Sequence, residues 1–243
     1  FMDFLANYFG SLNPMSFLSA LPGNIAQGII WGLMGLGVFL TFKLLNFADL
    51  SVDGSFATGG AVTAVMLING CPVWATIIVA ILAGLAAGLV TGLLHTLLGI
   101  PDILAGILTQ IALYSINLNI MGKSNLPISY RNYTLVVSAS NINMAILVGL
   151  GICAVVIAAM YWYFGTEQGS TIRSTGSNPA MSKAQGININ FTKVIALALS
   201  NGLVALSGSL FAQYQGFADI NMGRGAIVIG LAAVIIGEVL GEA

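Results

Sequence analysis

Two aspartates, Asp49 and Asp53, stand four residues apart in LLNFADLSVDGSFATGGAV (44–62), at the mouth of an otherwise uncharged apolar run. An ionised carboxylate at the centre of a membrane helix costs about 2.5–3.5 kcal/mol, so Asp53, a full turn into the run, must face protein or water rather than lipid. Asp49, or Ser51 after it, can cap the helix that follows. A short acceptor there satisfies first-turn N–H groups, and a negative charge suits that end of the helix dipole. Gly54, Gly59 and Gly60 allow a bend or a close backbone contact next to Asp53.

Other polar side chains lie within apolar stretches: Gln110 and Asn117, then Asn201, Ser207 and Gln213. Such groups either hydrogen-bond to a neighbouring helix, at about 0.6 kcal/mol each in membrane bundles, or line a path for a polar solute. Asp49, Asp53, Gly54, Gln110, Asn117, Asn201 and Gln213 are therefore the candidate residues for a transport path or a helix break.

Catalytic chemistry has no footing. His95 is the single histidine, no GxxxxGK[ST] loop is present, and the cysteines are Cys71 and Cys153. No catalytic, cofactor-binding or metal-binding residues are expected. His95, close to the end of an apolar run, reads as an interfacial hydrogen-bonding residue, and the two cysteines read as small apolar fillers.

The elements that carry these residues follow from composition. Charged residues make up 6% of the 243-residue chain against about 25% in soluble domains, and hydrophobic residues reach 58%. Mean hydropathy is +0.97. The chain is an integral membrane protein, and its apolar runs lack the period-2 alternation of a β-barrel strand, so the spans are helices. The fold class is all-α, a polytopic transmembrane helix bundle in the lipid bilayer. Seven basic residues scattered singly, with a net charge of −1, leave no footprint for nucleic acid.

Six spans are expected, over 24–46, 51–69, 73–98, 101–121, 143–164 and 191–216. Residues 1–23, aromatic and broken by Pro14 and Pro22, read as an interfacial segment ahead of a membrane domain over 24–224. Phe1 in place of Met, without a basic n-region, reads as a missing native N-terminus. Gly84, Gly88 and Gly92 in the third span, and Gly28 and Gly32 in the first, have the fourfold spacing that lets helix backbones approach closely.

Two polar connections, 122–143 and 165–190, are too long for simple turns. The second holds a short helix begun by Asn178 ahead of Pro179 and stopped by Gly186. The triplets Asn132-Tyr133-Thr134 and Asn190-Phe191-Thr192 match a glycosylation pattern that arises often by chance. Across six spans, Lys123, Arg131 and Arg224 fall on one side and Lys43, Arg173, Lys183 and Lys193 on the other, a difference too small to fix orientation.

The last stretch, GAIVIGLAAVIIGEVLGEA (225–243), has 13 uncharged residues before Glu238. It is too short to cross and reads as a re-entrant or interfacial helix whose apolar face packs under the bundle, with Glu238 and Glu242 on one other face. It ends in a helical pattern without a cap and reads as truncated.

The segments IAQGIIWGLMGLGVFLTF, NFADLSVDGSFATGGAV, LYSINLNIMGKSNLPI, IRSTGSNPAMSKAQGIN and GLAAVIIGE resemble the permease subunits of bacterial ABC importers related to branched-chain amino acid and ribose permeases. The likeness is strongest to permeases encoded beside a tryptophan/tyrosine-type binding lipoprotein and an ATPase. It runs from about residue 24 to the end, with DLSVDGS and GLAAVIIGE its specific parts. It implies a type II-like importer fold, a homodimeric or pseudo-dimeric pore in the bacterial inner membrane, an extracytoplasmic binding protein, and two cytosolic ATPases that carry the ATP and Mg.

The resemblance further implies that residues 225–243 are cytoplasmic and begin the ATPase-docking region, with Gly230, Leu231, Gly237, Glu238 and Glu242 at the contact. The implied solute is a small amino acid, aromatic ones included. Two departures stand out: relatives run on for further spans, and Asn119 occupies a position where a basic residue is expected. Two other readings use the same residues. One is an ion-coupled secondary carrier with Asp53 as the coupling carboxylate; the other is a membrane scaffold that moves no solute.

Overall fold

The structure, a computed structural model, describes residues 14–128, 135–138 and 142–241. The chain folds into helices α1 (Pro14–Phe39), α2 (Val52–Ile68), α3 (Val73–Leu98), α4 (Asp102–Met121), α5 (Ile142–Phe164), α6 (Glu167–Ser177), α7 (Pro179–Ala184), α8 (Ile189–Gln215) and α9 (Ala226–Gly241). A π-helical turn, Leu40–Leu44, closes α1. Two three-residue strands, β1 (Asn125–Pro127) and β2 (Phe217–Asp219), pair antiparallel with Asn125 opposite Asp219.

Five helices are long and apolar enough to cross a membrane among the described residues: Ala20–Leu44, α3, α4, α5 and α8. The second of the six expected spans is the 17-residue α2. It is short because the chain does not resume a helix until Val52: after the π-helical turn, Asn46 adopts φ +54° and the backbone runs irregularly to Ser51. Asparagine is among the few residues that tolerate this left-handed conformation. Irregular backbone within a membrane protein is stable where protein covers it, and in this stretch Leu45, Phe47, Asp49 and Ser51 are buried while Asn46 is exposed.

The first helix also departs from expectation. Among the described residues it runs from Pro14 through Pro22 without ending, so the expected division at residue 23 does not coincide with a break. Pro22 removes one hydrogen bond from the helix. Residues 1–13 lie outside the described part.

The core is organised around α8, buried along most of its length. α3 runs antiparallel against it on glycines. A Cβ at Gly88 would lie 2.7 Å from the Ala198 Cα, one at Gly84 2.5 Å from the Ala205 Cβ, and one at Gly92 2.9 Å from the Val194 Cα. The expected close contact of the third span is this one. Gly28 and Gly32 differ: nothing stands within 4 Å of a Cβ at either, so their spacing marks no contact within the described chain.

Buried hydroxyls fasten α8 to its other neighbours. Ser200 Oγ donates to Gly37 O at 2.7 Å and Ser207 Oγ to Ile30 O at 2.6 Å, on α1; Thr63 Oγ1 of α2 donates to Ser209 Oγ at 2.7 Å. Between them Trp31, Phe56 and Phe211 form an aromatic cluster with centroids 5.3–5.5 Å apart, Trp31 stacked on Phe56 and edge-to-face with Phe211.

These pairings give the bundle two ends. One carries β1, β2, Lys123 and the C-terminal end of α8. The other carries α6, α7, His95, Lys193 and the π-helical turn, with Gly176 packed against the backbone of Leu44 and Leu45. Asn178 caps α7, accepting the Met181 N–H at 3.0 Å, and Gly186 with φ +83° ends the segment, as the sequence leads one to expect. His95 bridges locally at that end: Nδ1 lies 2.9 Å from Ile100 O and Nε2 3.0 Å from Lys193 Nζ. Cys71 and Cys153 are both free thiols.

Candidate functional site

The polar residues singled out from sequence separate into two groups on either flank of α2. On the α8 side, Asp49 is buried at 2% exposure. Its Oδ1 accepts the Ser51 N–H at 2.9 Å and the Ser51 hydroxyl at 2.5 Å; its Oδ2 accepts the Asn201 Nδ2 at 2.7 Å. Asn201 in turn accepts from Ser51 Oγ at 3.1 Å and Ser55 Oγ at 2.5 Å and donates to Leu197 O.

Asp49 thus does meet an N–H just ahead of α2, in the aspartate turn that precedes a helix, while the Ser51 side chain caps nothing and reaches to the carboxylate and amide instead. This group is a closed hydrogen-bond node, with the chain break before α2 latched onto α8.

On the other flank stands Asp53. Its position a turn into α2 gives it a partner that the sequence does not disclose: the start of α9. Asp53 Oδ2 accepts the Gly225 N–H at 3.1 Å and Oδ1 accepts the Ile227 N–H at 3.0 Å. These are orphan donors of a helix beginning inside the bundle, and a carboxylate satisfies both while opposing the positive end of the helix dipole. Gly223 makes the approach possible, since it packs directly on the Asp53 carbonyl where a side chain would collide. Gly54, next to Asp53, packs on α4, with a Cβ there 3.0 Å from the Leu113 Cδ1.

α9 therefore does not lie under the bundle. After β2 the chain turns back between 220 and 225, reaches the level of Asp53, and α9 leaves along α1, with Gly230 against Val38 and Leu231 part-buried on the core. Its last turns reach the π-helical turn, where Glu238 pairs with Lys43. The carboxylate expected to project freely is thus held by a lysine of the same chain. Gly237 borders an open cavity beside that pair. Glu242 lies outside the described residues. The outward face of α9 (Ile229, Ile235, Ile236, Val239 and Leu240) is exposed.

Asp53, Gln110 and Asn117 come together, with Tyr114 and Arg224, around a cavity of about 330 Å³ between α2, α4 and the 220–225 turn. Sequence reasoning missed Tyr114 and Arg224. Arg224 reads there as an ordinary loop charge, and only the return of the chain into the bundle brings it to Asp53. Gln213 is buried apart from them, its Oε1 accepting the Val136 N–H at 3.2 Å. The structure thus divides the seven path candidates: Asp49 and Asn201 in a closed node, Gln213 elsewhere, and Asp53, Gly54, Gln110 and Asn117 around one cavity.

Comparison with known proteins supplies the rest. The family model described as "Branched-chain amino acid transport system / permease component" matches residues 23–241. A tyrosine transport system permease protein of Clostridioides difficile is 45% identical over 224 residues, which is 92% of this chain and 74% of the relative. An uncharacterized protein of Rickettsia prowazekii is 32% identical, over 88% of this chain and 75% of the relative. A D-allose transport system permease protein of Escherichia coli is 28% identical, over 94% and 71%. No solved structure matches the chain. The helical bundle, the DLSVDGS segment held between α8 and the start of α9, and a match over nearly the whole chain agree, and this protein belongs to the permease components of the branched-chain amino acid transport family of ABC systems.

Proposed function

We propose that the chain forms the membrane pathway by which an ABC importer takes up a small amino acid, with aromatic amino acids among its passengers. The observation that carries this is the cavity between α2 and α4, where a carboxylate, a guanidinium, two amides and a phenol gather around one space. The similarity to a tyrosine transport permease supports the choice of solute.

In this reading the cytosolic ATPases dock at the end of the bundle that carries α6, α7 and the last turns of α9, at Gly237, Glu238 and the adjoining Glu242, while Gly230 and Leu231, packed on α1 and the core, carry the contact inward. The binding protein approaches the β1–β2 end, and two copies of the chain face each other across the pore. Lys43, Arg173, Lys183 and Lys193 belong to the α6–α7 end against Lys123 at the other among the described residues, an excess that supports a cytoplasmic α6–α7 end. Because α9 begins inside the bundle and leads to that end, Arg224 no longer counts for the opposite side. ATP binding outside the membrane then shifts the bundle between two packings that expose the path in turn.

The test is uptake of L-tyrosine into proteoliposomes containing the permease with or without its ATPase and binding protein. Uptake that requires both partners and ATP is expected. Uptake by the permease alone along an ion gradient would favour a carrier with Asp53 as coupling group, and no uptake of any solute would leave a scaffold.

A further inference from the structure

The cavity described above contains a detail that solute passage in general does not explain. Asn117 is 1% exposed, yet neither its Nδ2 nor its Oδ1 has a hydrogen-bond partner, although it lines the cavity. A buried amide with both donor and acceptor unsatisfied carries a penalty that a bound polar group would remove. Arg224 lines the same cavity and makes no ion pair or side-chain hydrogen bond among the described residues, and it does not pair with Asp53, although the residue next to it, Gly225, donates to that carboxylate. A cation and an anion thus border one small space without neutralising each other.

Each Asp53 oxygen accepts one backbone N–H and retains acceptor capacity. The remaining wall is Gly54, Ala57, Ile111, Tyr114 and Ile220, with one further amide, Gln110. At about 330 Å³ the cavity is at the small end of ligand pockets.

We propose that this cavity is a binding station for the zwitterionic end of a free amino acid. Arg224 receives the α-carboxylate, Asp53 the α-ammonium, and Asn117 donates to the one and accepts from the other. Tyr114 and Ile111 flank the side chain. The arrangement suits a passenger with both charges on one carbon and disfavours an analogue that has lost either, because the part-buried Asp53 or the exposed Arg224 would then lose its counter-charge and the buried Asn117 amide would keep an unmet donor or acceptor. The inference rests on the reading of the chain as an amino acid permease and adds that the permease itself, not only a binding protein, inspects the passenger.

The experiment uses the full-length permease assembled with its ATPase, first without the binding protein. Binding of radiolabelled L-tyrosine to the purified complex is measured in competition with tyramine, which lacks the carboxylate, and 3-(4-hydroxyphenyl)propionate, which lacks the amine. Wild type is expected to bind L-tyrosine and to prefer it at least about tenfold over either analogue. R224Q is expected to lose that preference against tyramine while keeping it against the propionate. N117A is expected to weaken L-tyrosine binding several-fold with unchanged elution as a monodisperse complex.

Equal competition by both analogues in wild type, or an R224Q complex that discriminates as wild type does, would overturn the station. So would a complex that imports L-tyrosine with its binding protein but binds none without it, and in that case the pathway reading stands. ATP-driven uptake of a solute other than an amino acid, with L-tyrosine neither bound nor carried, would overturn the solute assignment and the station together.

Discussion

The carboxylate of Asp53 accepts the Ile227 N–H at 3.0 Å, joining the first turn of α2 to the first turn of α9 across 174 residues of sequence. Loss of a capping carboxylate costs about 0.5–2 kcal/mol, and here two N–H groups are served. D53A should lower the unfolding midpoint of the detergent-solubilised protein, and D53N, which keeps one amide oxygen as acceptor, should lower it less. Equal midpoints for D53A and wild type would show that α9 begins without help from α2.

The Asp49–Asn201 contact makes a contrasting case, because it is buried and every polar atom of both side chains is hydrogen-bonded. N201L leaves the Asp49 carboxylate and the Ser55 hydroxyl without the amide, and a buried group stranded in this way costs about 1–3 kcal/mol, more when it is charged. N201L should reduce folded yield sharply. D49N, which keeps the size and one acceptor, should be milder, as read by size-exclusion profiles after mild heating.

Glycines in α3 and α1 should behave oppositely although their spacing is alike. G88L drives a side chain into the Leu197 and Ala198 backbone and should abolish the monodisperse fold, and G88A should already destabilise it. G28A and G32A meet open space and should leave the midpoint of the isolated chain within about 0.5 kcal/mol of wild type. A stable G88L would mean that α3 and α8 do not touch there.

Lys43 and Glu238 allow folding and docking to be told apart. The pair is part-exposed, and such pairs contribute about 0.2–1 kcal/mol, so E238K alone should shift stability little. The swap K43E/E238K should restore the pair. If Glu238 also seats the ATPase, both E238K and the swap should weaken co-purification of the ATPase. Normal ATPase retention in both would confine Glu238 to its intrachain role.

Much of the bundle was legible because it depends on patterns the sequence displays directly. Long apolar runs place α1, α3, α4, α5 and α8, the small residues at 84, 88 and 92 place the tightest contact, and Asn178 with Gly186 bounds α7. What the sequence does not display is return. That α9 starts inside the bundle depends on the chain reversing after β2, and that Asp53 waits there depends on a contact between residues far apart in the chain. Gly28 and Gly32 show the complementary limit: fourfold spacing permits close approach but does not supply a partner. The polar set was identified residue by residue, but its division into a closed node at Asn201 and an open cavity at Asn117 depends on which flank of α2 each helix occupies.

The meeting of α3 and α8 along Gly84, Gly88 and Gly92 has a mechanical side. Where one backbone lies directly on another, no flexible side chain stands between them to absorb a displacement, so force applied to either helix passes to the other undamped. The two act as a single strut, extended by the Ser200 and Ser207 bonds to α1. α5 is built differently: Ala145 and Gly149 are its only residues in the buried class among those described, and much of its length faces outward. Compliance in this protein is therefore unevenly distributed, stiff around α8 and soft at α5, and α5 leads directly into α6 at the end proposed to meet the ATPase.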